Sequence, residues 1–145
     1  MKPPLGDTLV ICDMDNTLLT AKEGIPACNR AVIRLYTGMG GLFTVATGRP
    51  PESIRAALGN LKLSLPAISC NGALLYDFST ESVLHRSTLN REQATTAIID
   101  ILAKFPRMGV EVMAGNGEMY VIHANEVTHA HQVDEHLGSI ACPVE

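Results

Sequence analysis

Tryptophan is absent from the chain, and three tyrosines and three phenylalanines are its whole aromatic complement. So sparse a set offers no stacking platform for nucleobases. Positive charge is scarce too. Eleven Lys and Arg against fifteen Asp and Glu leave a net charge of −4, which gives no footing for non-specific nucleic-acid binding. No apolar run approaches the length of a membrane span. The opening residues, Met1-Lys2-Pro3-Pro4-Leu5-Gly6-Asp7, lack the apolar stretch of a signal peptide. The four cysteines, Cys12, Cys28, Cys70 and Cys142, form no Cys-x-x-Cys pair. Cys12 and Cys70 lie in apolar runs, so they read as reduced thiols packed as small hydrophobes, and the expected address is cytoplasmic. Internal repeats and low-complexity segments are missing as well. What remains is a 145-residue chain, 46% hydrophobic and 18% charged, suited to one packed domain or to a partial domain with an appendage.

Apolar periodicity organises the first half. Leu9 to Cys12 reads as a fully buried strand, apolar on both faces. Ala31, Val32, Leu35 and Tyr36 recur at helical spacing within 27–36, and Gly38, Gly40 and Gly41 stop that helix. Leu42 to Ala46 is a second buried strand. A helix over 51–61 follows, with Pro51 in an early position and Ile54, Ala57, Leu58 and Leu61 as its apolar stripe. Pro66 to Cys70 is a third strand. Strand, helix, strand, helix, strand implies a parallel sheet with right-handed crossovers. Each strand ends in polar or glycine residues: Asp13 and Asp15, then Thr47 and Gly48, then Asn71 and Gly72. Open α/β sheets bind ligands at that edge.

The second half changes texture. Strands are expected over 74–77 and 82–85, a helix over 92–105, and strands over 110–113 and 119–123 around the turn Gly115-Asn116-Gly117. A last helix is expected over 127–137. The expected division is residues 1–80 as the N-terminal part of a parallel-sheet core and 81–145 as a separate α+β unit.

Two carboxylates two residues apart at the end of an apolar strand can face one crevice. They do not both ionise cheaply unless a cation sits beside them, and without one a pKa rises and that group becomes a candidate acid. Both outcomes suit phosphoryl transfer. Mg²⁺ takes oxygen ligands and bridges to phosphate. One Asp can attack phosphorus while the other moves protons. The plain structural alternatives are a polar turn after a strand, or a metal-binding Asp-x-Asp of another enzyme class.

Asp13-Met14-Asp15-Asn16-Thr17-Leu18-Leu19 resembles the first motif of the haloacid dehalogenase-like hydrolases. Thr44-Val45-Ala46-Thr47-Gly48-Arg49-Pro50 resembles the second. The stretch from Ile68 through Asn71-Gly72 to Asp77 is similar to the third-strand signature of the Cof-type branch, mostly sugar- or nucleotide-phosphate phosphatases. The resemblance implies an α/β fold: a Rossmann-like parallel-sheet core, here incomplete, with an inserted α+β cap, here partial. It implies Asp13 as nucleophile and Mg²⁺ ligand, and Asp15 as general acid/base with its main-chain carbonyl on the metal. Thr47 would hydrogen-bond a phosphoryl oxygen, Gly48 and Arg49 would adjoin it with Arg49 reaching substrate or cap, and Asn71 and Gly72 would line the floor. The N–H groups of the Met14–Asn16 turn would help hold the phosphate. The substrate would be a small phosphorylated metabolite.

Two departures stand out. Asn16 occupies a position where the Cof-type pattern usually has Gly, and Asn tolerates left-handed backbone angles well. The family's later Lys and its acidic Gly-Asp-x-x-Asn-Asp stretch have no counterpart in this sequence. In the family fold a strand arriving after the cap flanks the first strand, so Leu9 to Cys12 is expected to present an open apolar edge. The expectation is therefore the N-terminal part of a phosphatase, truncated and nearly inactive alone, with self-association or a completing second chain as its partners. The alternative is a non-catalytic domain that binds a phosphometabolite or assembles with a partner through a remnant site. Three other features carry no chemistry. His129, His131 and His136 match no zinc ligand spacing and read as a solvated helix. Gly38 to Gly41 lacks the Gly-Lys-Ser/Thr of a phosphate loop. The cysteines read as redox-inactive.

Overall fold

The computed structural model describes residues 5–20, 24–134 and 137–142. The readings placed on residues 1–4 and on His136 lie outside the described residues. The chain divides into two compact units, Met1–Arg86 and Ser87–Glu145.

The first unit opens with β1 (Leu9–Cys12), α1 (Ala27–Gly38) and β2 (Leu42–Val45), followed by α2 (Pro51–Leu58) and β3 (Ala67–Ser69). β1 and β2 are parallel, in register from Leu9↔Leu42 to Cys12↔Val45. The parallel bridge Ala46↔Ile68 and the bond from Thr47 N to Ile68 O, 3.0 Å, bring β3 beside the end of β2. β4 (Leu74–Asp77) and β5 (Ser82–Arg86) then extend β3 as antiparallel strands. The expected strand–helix–strand–helix–strand order and its parallel sense are both present. The core gathers Met14, Leu18, Leu19, Ile25, Ile33, Phe43, Val45, Ile54, Leu58, Leu61 and Ala67.

Two details correct the expectation. β1 is not buried: Leu9, Val10 and Ile11 are 45%, 41% and 50% exposed. Their backbone pairs with β2 on one side, and among the described residues no strand pairs on the other. The helix expected over 51–61 ends at Leu58, where Gly59 takes φ 56° and its N–H closes on Arg55 O at 3.1 Å. A left-handed residue of this kind ends a helix at low cost only when it is glycine. Leu61 is still buried, but beyond the helix.

The second unit holds α3 (Arg91–Lys104), β6 (Val110–Met113), β7 (Met119–His123), α4 (Glu126–Asp134) and β8 (Ser139–Ala141). Asn90 caps α3, its side chain accepting from Glu92 N at 2.8 Å. β6 and β7 form the expected hairpin around Gly117, and β8, which the sequence pattern did not indicate, runs parallel to β7. His131 Nδ1 lies 2.7 Å from Glu111 Oε2, so this histidine ties α4 to β6. His129 is exposed. Among the described residues no helix is long and apolar enough to cross a membrane, and none of the four cysteines is in a disulfide.

Candidate active site

The site grows from the end of β1. Main-chain bonds from Thr17, Leu18 and Leu19 N converge on Met14 O at 3.3, 3.0 and 2.7 Å. They curl the chain around Met14, whose side chain is fully buried, and leave Asp13 and Asp15 exposed on either side of it. Asn16 completes the curl at φ 57°, the left-handed angle its residue type tolerates. Thr17 Oγ1 donates to Asp13 Oδ2 at 3.0 Å, fixing one carboxylate oxygen, while Oδ1 has no hydrogen-bond partner among the described residues.

Parallel pairing carries Thr47 to the same end of the sheet. Cys12 stands opposite Val45, and Ala46 N donates to Cys12 O at 3.0 Å. Thr47 is buried; its hydroxyl oxygen accepts from Arg49 N at 3.2 Å, the turn role expected of a threonine there. The hydroxyl proton is left to donate elsewhere.

Arg49 crosses to the carboxylate pair. Its Nε donates to Asp15 Oδ1 and Oδ2 at 3.0 and 3.1 Å, and its Nη2 to Oδ1 at 2.7 Å. This is the planar fork with which guanidinium grips carboxylate. Oδ2 accepts one of these bonds and Oδ1 two, so Oδ2 is the less engaged oxygen. The third nitrogen, Nη1, donates to Ser53 Oγ at 2.7 Å.

The end of β3 closes the other side. Ser69 Oγ and Cys70 N both donate to Arg49 O, at 2.7 and 3.1 Å, and Asn71 N donates to Thr47 O at 3.1 Å. These bonds hold Cys70 and Asn71 at φ 52° and 54° and Gly72 at φ 90°. Gly48 packs against the Asn71 amide: a Cβ at position 48 would meet Oδ1 at 3.2 Å. Gly72 is exposed, with open space around it. The site therefore places Asp13, Asp15, Thr47, Gly48, Arg49, Asn71 and Gly72 along one edge of one unit. Three contributors escaped the sequence reading. Thr17 lay inside a quoted motif without a role. Ser69 likewise lay inside a quoted motif without a role, Ser53 read as an ordinary helix residue, and no pattern in the sequence pairs either with Arg49.

One shift of ionisation marks the region. Burial pushes the Cys12 thiol up, and the neighbouring Asp13 carboxylate pushes it further.

The family model for haloacid dehalogenase-like hydrolase matches residues 10–140. The 5-amino-6-(5-phospho-D-ribitylamino)uracil phosphatase YwtE of Bacillus subtilis is 36% identical over 93 residues, 64% of this chain and 31% of that one. The pyridoxal phosphate phosphatase YbhA of Escherichia coli is 36% identical over 77 residues, 52% of this chain and 28% of that one. A HAD/COF-like hydrolase from Plasmodium vivax superposes with a TM-score of 0.78 at 21% identity, over 97% of this chain and 51% of that one, a likeness of fold. The chain thus spans about a third of the length of these curated relatives and about half that of the solved structure. It belongs to the haloacid dehalogenase-like hydrolase family.

Proposed function

We propose, from that membership and from the geometry at the end of β1, that the protein is a phosphatase. It hydrolyses the monoester of a small phosphorylated metabolite through an aspartyl-phosphate on Asp13. The observation that carries this reading is the difference between the two carboxylates. Asp13 keeps one oxygen unengaged beside a hydroxyl-anchored partner, whereas Asp15 is gripped by a guanidinium.

In the first step Asp13 Oδ1 forms a bond to phosphorus as the bond to the leaving oxygen breaks. Asp15 delivers a proton to that leaving oxygen. Thr47 donates its hydroxyl to a phosphoryl oxygen, and the N–H groups of the Met14–Asn16 turn add partial positive charge. In the second step water attacks phosphorus, its proton passes to Asp15, and the bond to Asp13 breaks to release phosphate.

Mg²⁺ fits the donor set. The Asp13 carboxylate and the Asp15 main-chain carbonyl are hard oxygen donors, and Mg²⁺ is held by one or two carboxylates with water and substrate phosphate. When bound, the ion neutralises charge on the phosphoryl oxygens. Residues 81–145 would be the opening part of a cap that selects substrate and limits water. The relatives named as phosphatases of small phosphorylated compounds support the substrate class.

The test is hydrolysis of an aryl phosphate with and without Mg²⁺. Turnover is expected to be slow, because the sequence holds no Gly-Asp-x-x-Asn-Asp stretch. It is expected to need Mg²⁺ and to vanish in Asp13→Asn. Turnover indifferent to Asp13→Asn contradicts the reading. A second reading is a domain that binds a phosphometabolite without turning it over. Thermal stabilisation by phosphate and Mg²⁺ without hydrolysis distinguishes it.

A further inference from the structure

The first unit also carries a cleft at the end of its sheet away from Asp13. The residues after α2 lead towards the start of β3, and Ser64 N donates to Phe43 O, near the start of β2, at 2.9 Å. β4 runs antiparallel to β3 with Ala67 opposite Tyr76, which brings Phe78 to the same end. Between these segments lies a cleft of about 420 Å³, whose lining includes Arg55, Leu58, Leu61, Lys62, Leu63 and Phe78. That is the size of a small-molecule site. Its walls are apolar: Leu58 and Leu61 are buried, and Leu63 and Phe78 partly so. The Phe78 ring is met edge-on by Tyr76, with centroids 4.8 Å apart, and the Arg55 guanidinium carbon lies 5.3 Å from its centroid.

The charge at the cleft has one sign. Arg55 and Lys62 line it, and among the described residues no carboxylate does. Lys62 is exposed and has neither ion pair nor hydrogen bond among the described residues. Arg55 Nη1 lies 3.0 Å from Glu81 Oε1, but those side chains are 49% and 67% exposed, and such a pair contributes little. The carbonyls that would make this end of α2 negative, Ala57 O and Leu58 O, already accept from Arg30. Asp77 is turned to Ser79, accepting from its N–H and its hydroxyl at 2.7 Å each. Two cations less Glu81 leave a single positive charge, which matches a monoanion. We propose that this cleft is a second binding site, for a small aromatic carboxylate, with its ring against Leu58, Leu61 and Phe78 and its carboxylate between Lys62 and Arg55. A ring gains more than buried area beside Phe78, and a planar carboxylate suits a guanidinium partner. The claim stands apart from the phosphatase reading, because no residue of the cleft belongs to that site.

The experiment titrates the full chain with 4-fluorobenzoate and follows the fluorine resonance by NMR. Saturable binding is expected with a Kd of about 1 mM, the scale for a ligand of so few atoms. 4-Fluorobenzamide, which keeps the shape and lacks the charge, is expected to bind about fivefold more weakly. Lys62→Gln, a change at an exposed side chain that leaves the fold intact, is expected to weaken the benzoate about fivefold. Glu81→Gln frees Arg55 from its competing carboxylate and is expected to tighten binding about twofold. Asp13→Asn, inorganic phosphate and Mg²⁺ are expected to change nothing. No saturation up to about 20 mM overturns the proposal. So does equal binding of the amide, or an affinity that Lys62→Gln leaves unmoved. Glu81→Gln without gain places the carboxylate away from Arg55 and overturns it as well. Loss of the probe in Asp13→Asn, or its displacement by phosphate, puts it in the other site and overturns the second one, whereas a chain that binds the probe but shows no Mg²⁺-dependent turnover loses only the phosphatase reading.

Discussion

Cys12 is a built-in reporter for the residue beside it. Burial first, and the Asp13 charge second, hold its thiol pKa above the ordinary value, so less of it is thiolate at neutral pH. Asp13→Asn removes the second cause and lowers the pKa. Alkylation of Cys12 at neutral pH, followed by mass spectrometry, is expected to quicken about two- to fivefold. An unchanged rate contradicts a charged Asp13 at this position. Gly48 offers a second check. Its substitution by alanine brings a methyl to 3.2 Å from the Asn71 amide oxygen, tighter than side chains pack comfortably. Asn71 sits in a left-handed turn, and its amide must shift by a few tenths of an ångström to admit the methyl. Gly48→Ala is expected to lower stability by about 1 kcal/mol in denaturant unfolding. No loss at all contradicts the close approach of the two loops.

Helix α2 carries the site at one end and is anchored at the other. Arg30, on α1, donates from Nη1 to Leu58 O at 2.6 Å and from Nη2 to Ala57 O at 3.1 Å, and its Nε donates to Ile25 O at 3.2 Å. Leu58 O and Ala57 O are terminal carbonyls of α2, where a positive charge also meets the negative end of the dipole. Arg30→Met is expected to lower stability by about 2 kcal/mol, read as a lower urea midpoint with an unchanged m-value. A shift within experimental error contradicts the anchoring role. The same helix shows where the sequence was legible and where it was not. Ile54, Leu58 and Leu61 were readable as core from their spacing, and all three are buried. The end of the helix was not readable from that spacing, because Leu61 reaches the core from the chain beyond Gly59. Gly59 and an arginine on another helix set the boundary, and neither belongs to the periodic pattern. β8 was illegible for a different reason: three exposed residues, Ser139 to Ala141, are too few to show a period. At the site, the residues inside contiguous motifs could be found. Thr17 and Ser69, although inside motifs, and Ser53, outside them, could not be given their contacts, because only the fold brings them to Asp13 and Arg49.

Across the whole molecule, the apolar edge is the feature that composition and motif together anticipated. The sequence reading took β1 as apolar on both faces; the structure leaves Leu9, Val10 and Ile11 open, and Val32 and Leu35 of α1 are also exposed. A short strand without a charged or proline guard invites pairing. Sedimentation of the purified chain is expected to show association that grows with concentration, and Val10→Lys to shift it towards monomer. A monomer at every concentration contradicts the open edge. The central claim, however, concerns one oxygen atom of Asp13, and it is tested without asking for turnover. Beryllium trifluoride binds carboxylates as an acyl-phosphate mimic, and its fluorine resonances change on binding. With Mg²⁺ present, the parent chain is expected to give a bound fluorine signal that Asp13→Asn abolishes. A bound signal that survives Asp13→Asn, or a parent chain that never gives one at saturating fluoride, contradicts the assignment of Asp13 as the group that accepts phosphorus.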